Sequence, residues 1–140
     1  VYVYEDYSMY QVVEMAAQML RQEMGSRNIV HLCHPALIAM VMDDKRTGGN
    51  LTDVLYEYLC CERNAALAAK RLYIHRNTML YKIRKIEDII GQSLDDPSLR
   101  ERLLFSYRVL EYMRRYCRED ILLLKRNRTE KKDGAEQGRE

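Results

Sequence analysis

The stretch that decides the fold runs Asn64-Ala65-Ala66-Leu67-Ala68-Ala69-Lys70-Arg71-Leu72-Tyr73-Ile74-His75-Arg76-Asn77-Thr78-Met79-Leu80-Tyr81-Lys82-Ile83-Arg84-Lys85-Ile86. It reads as two helices joined by a three-residue turn, Tyr73–His75. Asn64 is placed to cap the first, Ala65–Leu72. Helices that cross closely need small residues, and Ala65, Ala66, Ala68 and Ala69 supply them. Leu72 and Ile74 are apolar anchors on either side of the turn. The second helix starts at Arg76 and runs to about Ile90, where Gly91 ends it. Met79, Ile83, Ile86 and Ile90 recur at helical spacing and form its buried stripe.

The charge of this stretch is one-sided. Arg63, Lys70, Arg71, Arg76, Lys82, Arg84 and Lys85 are basic, and no acidic residue interrupts them. The whole chain has a formal net charge of only +2, so its remainder is net acidic. Positive potential focused on a short helical unit is the footprint of a nucleic-acid reader. At 100° per residue, with Met79 at zero, Asn77, Tyr81 and Arg84 fall at roughly 160°, 200° and 140°, opposite the apolar stripe. An amide, a phenol and a guanidinium on one outward face can bond base edges and phosphates. Recognition helices read bases mainly through their first turns. That singles out His75, Arg76, Asn77, Thr78 and Tyr81 as readers. Lys82, Arg84 and Lys85 are expected on phosphates, with Asn64 and Lys70 clamping the backbone.

Outward from this core the chain remains helical. Good helix formers dominate, and two prolines and six glycines in 140 residues leave long stretches free. A first helix is expected from Ser8 to about Met24, burying Val12, Ala16, Met19 and Leu20. Gly25–Asn28 breaks it. His34-Pro35 starts a second helix, with Ala36, Leu37, Met40 and Val41 inward. Asn50 is expected to cap a third, Leu51 to about Cys61, with Val54, Leu55, Tyr58 and Leu59 buried. Asp96-Pro97 opens a long last helix whose stripe is Leu99, Leu103, Tyr107, Leu110 and Met113. Asp95-Asp96 reads as its cap rather than as a cation site. The fold class that follows is all-α: a small multi-helix domain containing a helix-turn-helix. Residues 1–7 read as a linker from an upstream domain, 8–117 as the helical domain with its helix-turn-helix at 64–90, and 118–140 as a charged, disordered tail. Within that tail Ile121–Leu124 is a short apolar run that needs a partner surface.

Other function classes find little support. Cys33, Cys60, Cys61 and Cys117 form no CxxC pair, and adjacent Cys60 and Cys61 suit reduced thiols in a cytoplasmic protein. His31, Cys33 and His34 lie close together without zinc-ligand spacing, so no metal is expected. No nucleophile or carboxylate accompanies His75 in sequence, so no enzyme and no cofactor is expected. No apolar run approaches the ~20 residues of a membrane span. The start of the chain lacks the basic and apolar regions of a secretion signal, and Val1 suggests the C-terminal piece of a longer protein.

The string His75-Arg76-Asn77-Thr78-Met79-Leu80-Tyr81-Lys82-Ile83, within Asn64–Ile86, resembles the C-terminal helix-turn-helix of PucR/CdaR-type bacterial transcriptional regulators. Ile86-Glu87, Gly91 and Leu94-Asp95-Asp96-Pro97 resemble that family's closing segment, and His34-Pro35, Asp43 and Leu51–Leu59 fit its upstream pattern. The likeness covers roughly Tyr4 to Tyr112, and the helix pair is also similar to that of the nucleoid protein Fis. The resemblance implies a double-stranded DNA-binding regulator, with a small-molecule effector acting only through a domain upstream of this chain. It places His75, Arg76, Asn77, Thr78 and Tyr81 toward DNA. Leu80 stands where the family usually has arginine, and Tyr73 stands where other helix-turn-helices often carry glycine. A non-glycine residue there is expected to avoid positive φ. A homodimer is expected, joined through the first helix, the last helix or the upstream domain. The alternative from a different class is a helical protein-interaction or dimerisation module that binds no DNA.

Overall fold

The computed structural model describes residues 4–24 and 29–117. All the regular elements among them are helical. They are α1 (Tyr4–Met24), a 3₁₀ turn (Ile29–Leu32), α2 (Pro35–Thr47), α3 (Leu51–Cys60), α4 (Ala65–Arg71), α5 (Arg76–Ile90), α6 (Pro97–Tyr112) and a π turn (Met113–Cys117). The expected tail at 118–140, with its apolar run Ile121–Leu124, and the break at Gly25–Asn28 lie outside the described residues. The chain divides into two compact units. One spans Cys33–Tyr107; the other combines the described parts of 1–32 and 108–140.

The Cys33–Tyr107 unit carries the helix-turn-helix. Its core is Leu37, Ile38 and Met40 of α2, Leu51, Val54, Leu55 and Leu59 of α3, Ala68 and Ala69 of α4, Met79, Ile83 and Ile86 of α5, and Leu94, Leu99, Leu103 and Tyr107. α5 packs on α4, α3 and α2, and α3 also packs on α2 and α4. The stripes read from the sequence are mostly the buried ones. Ala36, Val41, Tyr58, Leu110 and Ile90 are only half-buried, and Ile38 joins the interior in their place. Each fully buried Leu, Ile or Met contributes about 1.5–3 kcal/mol relative to exposure.

Short helices depend on their ends, and here the starts of α2 to α6 are closed by side chains. The His34 imidazole Nδ1 accepts from the Ala36 N–H at 3.2 Å, with Pro35 in the first turn of α2. Asn64 Oδ1 accepts from the Leu67 N–H at 3.0 Å, as expected. Asp96 Oδ1 accepts from the Ser98 N–H at 2.9 Å at the start of α6. Gly91, at φ 75°, closes α5 by donating its N–H to the Glu87 carbonyl at 2.8 Å. The third helix corrects the sequence reading. Asn50 makes no side-chain cap. Asp44, seven residues upstream, accepts instead from the Leu51 and Thr52 N–H groups at 3.0 and 2.8 Å. Gly48, left-handed at φ 72°, turns the chain so that Asp44 can reach back. A carboxylate outdoes an amide here because it accepts two N–H groups at once and carries the charge that a helix N-terminus favours.

Ser106 and Tyr107 tie the last helix into this unit. The buried Ser106 hydroxyl donates to the Arg102 carbonyl at 2.7 Å and accepts from the His34 N–H at 2.8 Å. The Tyr107 hydroxyl donates to the Thr52 carbonyl at 2.6 Å, and its ring lies 5.0 Å from that of Tyr56. Burial raises the Tyr107 phenol well above its ordinary range, keeping it a donor.

The other unit corrects the expected first helix. α1 begins at Tyr4 rather than Ser8. It buries Tyr10, Val13 and Ala17, whereas Val12 and Met19 are exposed. Met9, Val12, Met15 and Met19 form a second apolar row on the same helix. Two rows at helical spacing satisfy the same periodicity, so spacing alone does not choose between them. Val109, Tyr112 and Met113 are also buried.

Two stability measurements follow. Asp44→Ala should cost about 0.5–2 kcal/mol in urea unfolding through loss of the α3 cap. Asn50→Ala, at an exposed site, should cost about 0.5 kcal/mol or less. His34 sets a pH dependence. Burial, aided by the nearby Arg102 charge, lowers its pKa below the ordinary 6.5. The unfolded chain therefore takes up this proton first, and the contribution of His34 is complete above about pH 6.5 and lost as pH falls below it. Melts between pH 7.5 and 5.5 should show this loss, and His34→Asn, which keeps a cap but cannot titrate, should reduce it.

Candidate nucleic-acid interface

α4 and α5 each end at a defined stop. α4 ends where the Leu72 N–H returns to the Ala68 carbonyl at 3.0 Å and the Ile74 N–H to Ala69 at 3.0 Å. Tyr73 lies between them in the left-handed region at φ 55°. The expectation that a non-glycine residue would avoid positive φ is thus overturned. The two return bonds close the turn around that conformation, at a cost of roughly 1–2 kcal/mol for a residue with a Cβ. Glu62 and Arg63 are also left-handed, at φ 53° and 66°, and turn α3 into α4. No glycine marks either turn, so neither carries a sequence signal for its backbone.

α5 then begins at a cap made by a candidate reader. His75 is extended, and its Nδ1 accepts from the Asn77 N–H at 3.1 Å. In the neutral ring this leaves Nε2 as the donor. Met79, Ile83 and Ile86 face inward, and the first turn and outer face carry His75, Arg76, Asn77, Thr78, Tyr81, Arg84 and Lys85, all exposed. Tyr81 is 66% exposed. Leu80 is half-buried beside them. Asn64 and Lys70, on the helix before, are also exposed.

The seven cations of the segment do not stand in one role. Arg63 Nη1 lies 2.6 Å from an Asp95 oxygen, and Arg71 Nη1 lies 3.2 Å from a Glu57 oxygen. These pairs lie at the surface and add little to stability, but they offset both positive charges. Lys82 is half-buried and donates from Nζ to Asn50 Oδ1 at 2.6 Å. That bond is where the Asn50 side chain goes instead of capping α3. Lys70, Arg76, Arg84 and Lys85 remain exposed and make no ion pair or hydrogen bond with the described residues. The positive face is therefore narrower than the composition suggested, and it is concentrated on α5 and the end of α4. Ion pairs between residues 32 and 14 positions apart have no sequence signature.

Sequence reasoning considered Tyr73 only as a turn residue and gave it no place in the site, yet it is 97% exposed between Lys70 and Arg76. The possible metal cluster has other employment: the Cys33 thiol, pushed up to about 12 by burial, lies 3.7 Å from the Ser106 carbonyl oxygen, and His34 caps α2. Among the described residues no group of three or more His, Cys, Asp or Glu is arranged to hold a metal.

Residues 51–109, from α3 into α6, match the family model of the PucR C-terminal helix-turn-helix domain. This segment is similar to the PucR C-terminal helix-turn-helix domain. The chain is also 40% identical over 60 residues to the purine catabolism regulatory protein of Bacillus subtilis (strain 168). That alignment takes in 43% of this chain and 11% of the length of the relative. No solved structure gives a significant match. Within the matched residues α4 and α5 pack on each other, and α3 packs on both.

Capping and recognition at His75 are separable. His75→Ala should lower stability by about 0.5–2 kcal/mol, whereas His75→Asn, itself a good cap, should recover most of it. If Nε2 also serves as a DNA donor, His75→Asn will restore the melting temperature without restoring affinity in a duplex titration.

Proposed function

We propose that this chain is the DNA-binding part of a transcriptional regulator, with α5 entering the major groove of double-stranded DNA. The observation that carries the reading is the division of α5 into an apolar face held in the core and an exposed polar and cationic face. The match of residues 51–109 to a PucR-type domain agrees with it. Arg76, Asn77, Thr78 and Tyr81, in the first turns, are the base readers, with His75 positioning that turn and donating from Nε2. Arginine pairs with guanine and asparagine with adenine through two parallel hydrogen bonds. Arg84, Lys85 and Lys70 contact phosphates. Asn64, whose oxygen caps α4, has its amide N–H groups to offer to the DNA backbone. Lys82 reaches phosphate only by giving up Asn50, which makes it the weakest member of the set.

The regulator acts as a cytoplasmic homodimer without catalytic activity of its own, and any small-molecule effector acts through a domain upstream. The exposed row Met9, Val12, Met15 and Met19 on α1 supports association, because a contiguous apolar face favours burial against another surface. Among the described residues no helix is long and apolar enough to cross a membrane.

Titrating the chain with duplexes selected from a random pool, at two salt concentrations, tests the reading. Arg76→Ala should cost about 1–3 kcal/mol on the selected sequence and much less on a scrambled one. Lys85→Ala should weaken both alike and reduce the slope of log K against log salt by about one. Absent or salt-insensitive binding would favour a protein-interaction module instead.

A further inference from the structure

We propose that Tyr73 is itself a DNA-contacting residue, its phenol hydroxyl donating a hydrogen bond to a backbone phosphate at the rim of the groove that α5 enters. The inference rests on the reading of α5 as a recognition helix. It is carried by features of Tyr73 that the fold leaves unexplained. The side chain is 97% exposed, so its ring covers almost nothing. Its hydroxyl has no partner among the described residues. Its backbone sits at φ 55°, a conformation glycine adopts freely and a tyrosine resists. Packing, hydrogen bonding and backbone preference all give the folded chain no reason for tyrosine here. Glycine would serve the turn better.

The surroundings indicate what the side chain is for. The Tyr73 N–H donates to the Lys70 carbonyl at 3.3 Å, so the turn is held close to the last turn of α4. Lys70 lies three residues before it and Arg76 three residues after, both exposed and unpaired among the described residues. Among the described residues Lys70 and Arg76 are thus free cations on either side of Tyr73, a setting that favours an anion. A helix whose first turn reads bases brings the preceding turn to the edge of the groove, where the sugar-phosphate chain runs. A tyrosine there supplies a neutral donor on a stiff arm, with only two side-chain torsions to order. Stacking on a base is a poorer account, because duplex bases are already stacked.

The experiment compares the full chain with Tyr73→Gly, Tyr73→Phe and Lys70→Ala, measuring melting temperature and binding to a selected and a scrambled duplex across a salt series. Tyr73→Gly should melt higher, because the turn is relieved, yet bind both duplexes about tenfold more weakly, as expected for a lost bond to a charged acceptor. Its salt slope should stay that of the parent, because no cation is removed; Lys70→Ala should lower the slope by about one. Tyr73→Phe should keep the parent's melting temperature and lose most of the same affinity. Parent-like binding by both tyrosine variants, while Arg76→Ala still weakens the selected duplex, would overturn the Tyr73 assignment alone. Full affinity in Tyr73→Phe with loss in Tyr73→Gly would also overturn the phosphate bond, because it would place the contact in the ring. A parent chain that binds no duplex would remove the recognition-helix reading, and this proposal with it.

Discussion

Burial of Met79, Ile83 and Ile86 sets the rotation of α5 about its own axis, and the remaining features of the interface follow from that rotation. A helix is a rigid rod, so fixing one face fixes the direction of every other side chain on it. Small residues make this possible. Ala68 and Ala69 are buried on α4, which packs against α5 and α3, and larger side chains would hold these helices apart. Packing and function are thus one constraint viewed from opposite faces.

Electrostatics then narrows what packing exposes. Asp95 and Glu57 take up two of the seven cations, and Asn50 holds a third. The four that remain lie on α5 and the end of α4. This arrangement turns a diffuse basic segment into a directed surface. It also links the surface to the scaffold, because Arg71 is paired with α3, Lys82 is bonded to the residue before it, and Arg63 is paired with the loop before α6. Changes in the scaffold can therefore alter the field at this surface without touching the exposed cations of α4 and α5.

The helix ends show how closely the fold uses its polar groups. His34 and His75 play the same role at two helix starts, each accepting through Nδ1 from the N–H two residues on. Their settings differ. His34 is half-buried and bound through its own N–H to Ser106, whereas His75 is exposed. The same local chemistry thus closes a half-buried helix start at one site and a helix start at the surface at the other. Left-handed Glu62, Arg63 and Tyr73 show the opposite economy, in which the chain accepts backbone strain to make tight turns without glycine.

Much of this molecule was readable from residue order. The all-α class, the positions of α2 to α6, the stripe of α5 and its outward residues all rest on spacing within a single helix, which is local information. So do the caps at Asn64 and Asp96, where donor and acceptor lie within three residues. Three things required tertiary structure. The buried row of α1 was one, because two rows fit the same period and only a neighbouring surface selects between them. The cap of α3 was another, because Asp44 reaches it only after the Gly48 turn has formed. The third was which cations are free, because the partners of Arg63, Arg71 and Lys82 lie far away in sequence and become neighbours only when the helices pack. Periodicity along one helix is written in the chain itself, whereas the choice among equivalent faces and partners belongs to the contacts that folding creates.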